Sequence, residues 1–143
     1  LIKIVDKLLN FEPKINLIII AGGNEIFYNL IESNFPDKRR MTLVNWTNEM
    51  EEYIKVSDVI IGKAGGLTVS ECLTLKKPMI ILNPIPGQEE HNAEFIEKNN
   101  FGKKINGIDE ITIILLKILS LPKDNQSDLL PKKNPCEKIF QYF

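Results

Sequence analysis

The sequence predicts a three-layer α/β domain on a mainly parallel sheet. Three features point there: short, nearly continuous apolar runs at Leu17–Ala21, Asp58–Gly62 and Met79–Leu82, helical periodicity between them, and glycine or proline at most junctions. A strand that is apolar at successive positions is buried on both faces, as in a parallel sheet covered by helices.

Leu1–Phe11 places Ile4, Leu8 and Phe11 at helical spacing with charges between them, so the chain opens inside a helix. Pro13 and Asn16 break it before the strand Leu17–Ala21. Gly22-Gly23-Asn24 turns the chain into a helix over Glu25–Phe35, which Pro36 closes. Met41–Trp46 reads as a strand, Asn48 as the cap of a helix running to Val56, and Asp58–Gly62 as the next strand. Lys63-Ala64-Gly65-Gly66 leads to a helix over Leu67–Leu75, and Pro78 starts the strand Met79–Leu82. A helix over Glu89–Asn99, a weaker strand at Gly102–Ile105 and a helix over Ile108–Leu119 complete the alternation. Residues 1–120 therefore form one domain with right-handed crossovers. Leu121–Pro135, with three prolines, reads as a surface connection and Pro135–Phe143 as a last short helix.

The 143 residues, 43% hydrophobic and 26% charged, suit one soluble globular unit with a single core. Eighteen basic against nineteen acidic residues leave a charge of -1, which argues against a nucleic-acid-binding surface. Cys72 and Cys136 show no metal or redox spacing and suit a reducing, cytoplasmic compartment. The run Leu17–Ala21 is too short to span a bilayer, so any membrane contact is expected to be peripheral.

In a parallel sheet of this kind, ligands sit beyond the C-terminal strand ends, where strand order reverses. The Lys63 loop carries the best chemistry there. Gly65 and Gly66 precede a helix whose first turn includes Thr68, so backbone N–H groups at a positive helix end can face a diphosphate, with Lys63 at the rim. A tight turn that needs glycine only for its backbone angles explains the same residues, and Thr68 could equally cap the helix. Glu71, three residues beyond Thr68, could accept hydrogen bonds from ribose hydroxyls or serve as a capping-type carboxylate favoured by the helix dipole, and spacing does not separate these. Gln88 and Asn92, four apart at a helix start, share a face and offer amides suited to sugar hydroxyls, although such residues also cap helices. His91 points away and reads as a solvated residue.

Asp58-Val-Ile-Ile-Gly-Lys-Ala-Gly-Gly-Leu-Thr-Val-Ser-Glu71, with Lys77-Pro78-Met79-Ile80 and Pro86-Gly87-Gln88-Glu89-Glu90-His91-Asn92-Ala93, resembles the donor domain of the diacylglycerol glycosyltransferases. That family includes monogalactosyldiacylglycerol synthases and processive bacterial glucosyltransferases and is related to the peptidoglycan N-acetylglucosaminyltransferase. Ala21-Gly22-Gly23-Asn24, Val44-Asn45-Trp46-Thr47 with Met50, and Asn134-Pro135-Cys136-Glu137-Lys138-Ile139 match further landmarks in order.

The resemblance implies the C-terminal, Rossmann-like half of a GT-B glycosyltransferase that takes a UDP-sugar and passes a hexose to diacylglycerol or a glycosyldiacylglycerol. It places Trp46 and Thr47 against uracil, Glu71 on ribose, Gly65, Gly66 and Leu67 at the diphosphate, and Gln88, Glu89 and Asn92 on the sugar. It also implies inversion without a metal or other cofactor. The general base and the lipid-acceptor surface would lie in an N-terminal domain, with the whole enzyme peripheral to the inner face of the membrane. The family's first donor-domain strand and its phosphate loop would precede Leu1, which leaves a gap in the sheet and predicts no turnover by this chain alone. The alternatives are a fragment of a peptidoglycan-type UDP-N-acetylglucosamine transferase and a noncatalytic UDP-sugar-binding subunit that needs a membrane partner.

Overall fold

Parallel pairing governs the strands of the computed structural model, which describes residues 1–120. The connection and last helix expected over 121–143, and Cys136 with them, lie outside the described residues. The order is α1(Ile2–Leu9) β1(Leu17–Ile20) α2(Glu25–Asn34) β2(Met41–Val44) α3(Met50–Val56) β3(Ile60–Gly62) α4(Gly66–Thr74) β4(Met79–Leu82) α5(Gln88–Lys98) β5(Gly102–Ile105) α6(Glu110–Leu119). Every helix and strand expected in this range occurs, its ends shifted by a residue or two.

The strands of the described residues are not all hydrogen-bonded into one sheet. They form two parallel sheets, β1-β2 and β3-β4-β5, and the chain divides into two compact units, Leu1–Tyr53 and the residues from Ile54 onward. Among the described residues, no backbone ladder links the two sheets. Two separate ladders are also what the resemblance implies for a sheet without its central strand.

In the first unit, Leu17↔Met41 through Ile20↔Val44 set the register. Val5, Ile31 and Met41 form the core, with Leu17, Ile19, Phe27 and Phe35 packed against it. The continuous apolar run of β1 predicts burial on both faces, yet Ile18 is 38% exposed. A strand paired on one side only, in a two-stranded sheet, lacks the neighbours that would cover it. The Arg40 guanidinium donates to the carbonyls of Leu9 and Ile15, tying the end of α1 and the following loop to the start of β2. A cation at that helix end also complements its dipole.

In the second unit, β4 is the middle strand, and Met79, Ile80 and Ile81 are fully buried, as its apolar run predicts. Ile96, Phe101 and Ile111 bring α5, the turn into β5, and α6 onto the same core. Cys72 is fully buried on α4, and burial, with a smaller contribution from the neighbouring Glu71 charge, pushes its thiol up to about 12. It is an inert core residue rather than a reactive thiol.

Glu97 joins α5 to β5 by accepting from Lys103 Nζ at 2.8 Å and from the Lys104 N–H at 3.1 Å. Desolvation raises its pKa, but these bonds and the two lysine charges outweigh that and hold the carboxyl below its ordinary value. A depressed folded pKa contributes stability that is present above the unfolded carboxylate pKa and is lost as pH falls through the folded value. Glu97→Gln is therefore expected to cost less than about 1 kcal/mol near neutrality, since Glu97 is partly and Lys103 well exposed to screening solvent. Thermal melts of both proteins across the acid range check this: the gap should close as pH falls through the carboxylate range.

Candidate functional site

The loops beyond the C-terminal strand ends hold the expected site residues in both units. In the first unit, the Ala21 N–H donates to Val44 O and the Gly23 N–H to Asn45 O, each at 2.8 Å, which pins the glycine turn to the end of β2. Gly23 thereby lies beside Trp46, so that a Cβ there would stand 3.7 Å from Trp46 Cδ1. The indole is 66% exposed, a large flat apolar surface open to a ligand. Thr47 Oγ1 accepts from the Glu49 N–H at 2.9 Å. This bond opens α3 in place of the Asn48 cap expected, because the helix begins at Met50, too late for Asn48 to be its flanking residue.

In the second unit, Gly65 is the N-cap of α4, with extended backbone and no side chain to cap the helix. The Val69 N–H closes the first turn on Gly65 O at 2.9 Å. The N–H groups of Gly66, Leu67 and Thr68 stand ahead of any intrahelical carbonyl and face outward at the positive helix end. The first turn of α4 carries no acid, whereas that of α5 carries Glu89 and Glu90. An anion is thus favoured at α4, where the exposed Lys63 adds positive charge.

Glu71 is the sixth residue of α4, in its second turn, too deep to reach the N-cap backbone as a capping carboxylate does. It shares a face with Thr68 and is partly exposed. Of the two readings spacing left open, the helix-capping one is removed.

The second loop runs from Asn83 into α5. Gly87 has φ 104° and ψ -125°, a region essentially confined to glycine, and it aims the first residues of α5. Gln88 reaches back over the start of α4, with its Nε2 3.7 Å from where a Cβ on Gly66 would lie. Glu89 Oε2 accepts from the Ile85 N–H at 2.9 Å and so braces its own loop. Asn92 Nδ2 donates to Ala64 O at 2.8 Å, joining α5 to the Lys63 loop. His91 is exposed, as the sequence suggests.

The second unit thus brings together Lys63, Gly65, Gly66, Leu67, Thr68, Glu71, Gln88, Glu89 and Asn92, while Trp46 and Thr47 belong to the first. Two participants escaped the sequence reading, the Ala64 carbonyl and the Ile85 N–H. Both act through backbone atoms, which residue identity does not reveal.

The chain matches the glycosyltransferase family 28 C-terminal domain over residues 1–141. It is 35% identical over 104 residues to the processive diacylglycerol beta-glucosyltransferase of Staphylococcus saprophyticus subsp. saprophyticus, across 73% of this chain and 27% of that protein. The Staphylococcus carnosus protein of the same description is 28% identical over 114 residues, across 80% of this chain and 29% of that one. The chain therefore spans little more than a quarter of the length of these relatives. Among solved structures, the glycotransferase of kitacinnamycin superposes with a TM-score of 0.70 at 16% identity, covering 90% of this chain and 33% of that one. TarM superposes at 0.65 with 17% identity, covering 99% and 30%. These likenesses show the GT-B fold. On the match along almost its entire length, the chain belongs to glycosyltransferase family 28 as a C-terminal domain of that family.

Proposed function

We propose that this chain is the donor-binding part of an inverting glycosyltransferase that moves a hexose from a UDP-sugar to diacylglycerol or a glycosyldiacylglycerol without a metal. The observation that carries the proposal is the α4 start. An uncapped, acid-free helix N-terminus lies beside Lys63 and under Gln88, which suits a diphosphate whose negative charge grows as it departs. Backbone dipoles fixed in place stabilise that charge without reorganising.

The proposal assigns ribose to Glu71, the hexose to Gln88, Glu89 and Asn92, and uracil to Trp46 and Thr47. The lipid acceptor is supported by the Staphylococcus relatives, which are described as processive diacylglycerol beta-glucosyltransferases. No helix among the described residues is long and apolar enough to cross a membrane. Access to a lipid would then come from peripheral association of the whole enzyme, with the general base and the acceptor surface outside this chain.

Calorimetric titration of the chain with UDP and with ADP, each with and without chelator, tests the donor assignment. Saturable UDP binding, at least about tenfold tighter than ADP and indifferent to chelator, is expected. A folded chain that ignores UDP, or binds both nucleotides alike, would remove the assignment.

A further inference from the structure

Asn92 has a second task that its type and spacing do not announce. Its side-chain amide donates to the carbonyl of Ala64, a residue fully buried between Lys63 and the N-cap Gly65. A carbonyl accepts but cannot donate, so the amide must present its NH₂ here and its orientation is set. Asn92 sits one turn into α5, which is anchored to the same core through the buried Ala93 and Ile96. The bond therefore transmits a rigid helix position to the peptide immediately ahead of the α4 start. Rotation of the Ala64–Gly65 peptide would redirect the N–H groups that follow it.

We infer that Asn92 is a positioning residue for the diphosphate site, holding Ala64 O so that the N–H groups at the start of α4 stay aimed at one point. This rests on the donor-site reading and goes beyond the sugar contact assigned to the same side chain. The Oδ1 atom stays available to a sugar hydroxyl. The two roles make opposite predictions for ligands that lack the sugar. A sugar contact alone leaves UDP untouched, whereas a latch on the α4 loop acts on UDP itself.

The experiment is NMR titration of wild type, Asn92→Ala and Asn92→Asp with uridine, UDP and UDP-glucose, together with amide hydrogen exchange without ligand. The latch predicts that Asn92→Ala weakens UDP about tenfold, for one lost hydrogen bond and a loosened loop, and UDP-glucose by at least as much, because the sugar contact goes with it. Uridine, which has no phosphate, should bind as before, and Gly65 and Gly66 should exchange faster. Asn92→Asp separates the roles further. Its carboxylate can still accept from a sugar hydroxyl but cannot donate to Ala64 O, so it should lose at least as much UDP affinity as Asn92→Ala.

Unchanged UDP affinity in both variants would overturn the latch, and so would an equal loss on uridine, which would signal general collapse of the site. If wild type bound no UDP, the donor reading would fall. The exchange of Gly65 and Gly66 would still decide the latch, unaltered protection in Asn92→Ala overturning it and faster exchange supporting it.

Discussion

Gly102→Ala is expected to destabilise the second unit by about 3 kcal/mol, the upper end of the usual cost of overpacking a core. Gly102 stands opposite Met79 in the β4–β5 register, and a Cβ there would lie 2.1 Å from Met79 O and 2.9 Å from Met79 C. Both obstacles are backbone, so no side-chain rotation relieves the clash. Met79 is fully buried on the middle strand, and moving it disturbs its pairing with Ile60 as well. Gly107→Ala serves as control because nothing lies within 4 Å of its added Cβ, and its effect should stay within about 0.5 kcal/mol. Urea unfolding followed by far-UV circular dichroism measures both. Equal midpoints for the two variants would mean that β4 and β5 do not approach as described.

Glu71→Ala is expected to weaken UDP binding by about 30- to 100-fold while leaving thermal stability nearly unchanged. A carboxylate that takes two vicinal ribose hydroxyls makes charge-assisted bonds, each typically contributing about 1.5–3 kcal/mol. Some of that is offset by the cost of desolvating the carboxylate. Glu71 is partly exposed in the second turn of α4, clear of the helix N-cap, so its removal should disturb the helix little. Glu71→Gln keeps the length and one acceptor oxygen and should lose less. The calorimetric titration that reads UDP affinity also reads these variants. A Glu71→Ala protein that binds UDP like wild type would assign ribose elsewhere.

Most of the element order was legible because each element needs only local information. The run Met79–Leu82 announces a strand buried on both faces, and burial of Met79, Ile80 and Ile81 agrees. The same inference failed at Ile18, since an apolar strand records the burial a full sheet would provide and not the neighbours it actually has. Asn48 was read as a cap because its type suits one. The register of one turn decided otherwise and left the bond to Thr47.

The site divides in the same way. Gly65, Gly66, Gln88 and Asn92 were singled out through the family resemblance, because on residue type alone a tight turn and ordinary helix capping account for them equally. At Glu71 the start of α4 at Gly66 bears on one reading only, putting the residue too deep to cap the helix.

Periodicity and punctuation were therefore enough to specify an alternating α/β chain, its parallel strands and the loops at their C-terminal ends, all properties set by neighbours in sequence. That β1-β2 and β3-β4-β5 are separate ladders, that Asn92 grips Ala64 and that Glu89 braces Ile85 came only with the fold. Two of these are bonds to backbone atoms, which every residue type carries, and the third is a matter of strand neighbours. Neither leaves a mark in the identity of the residues involved.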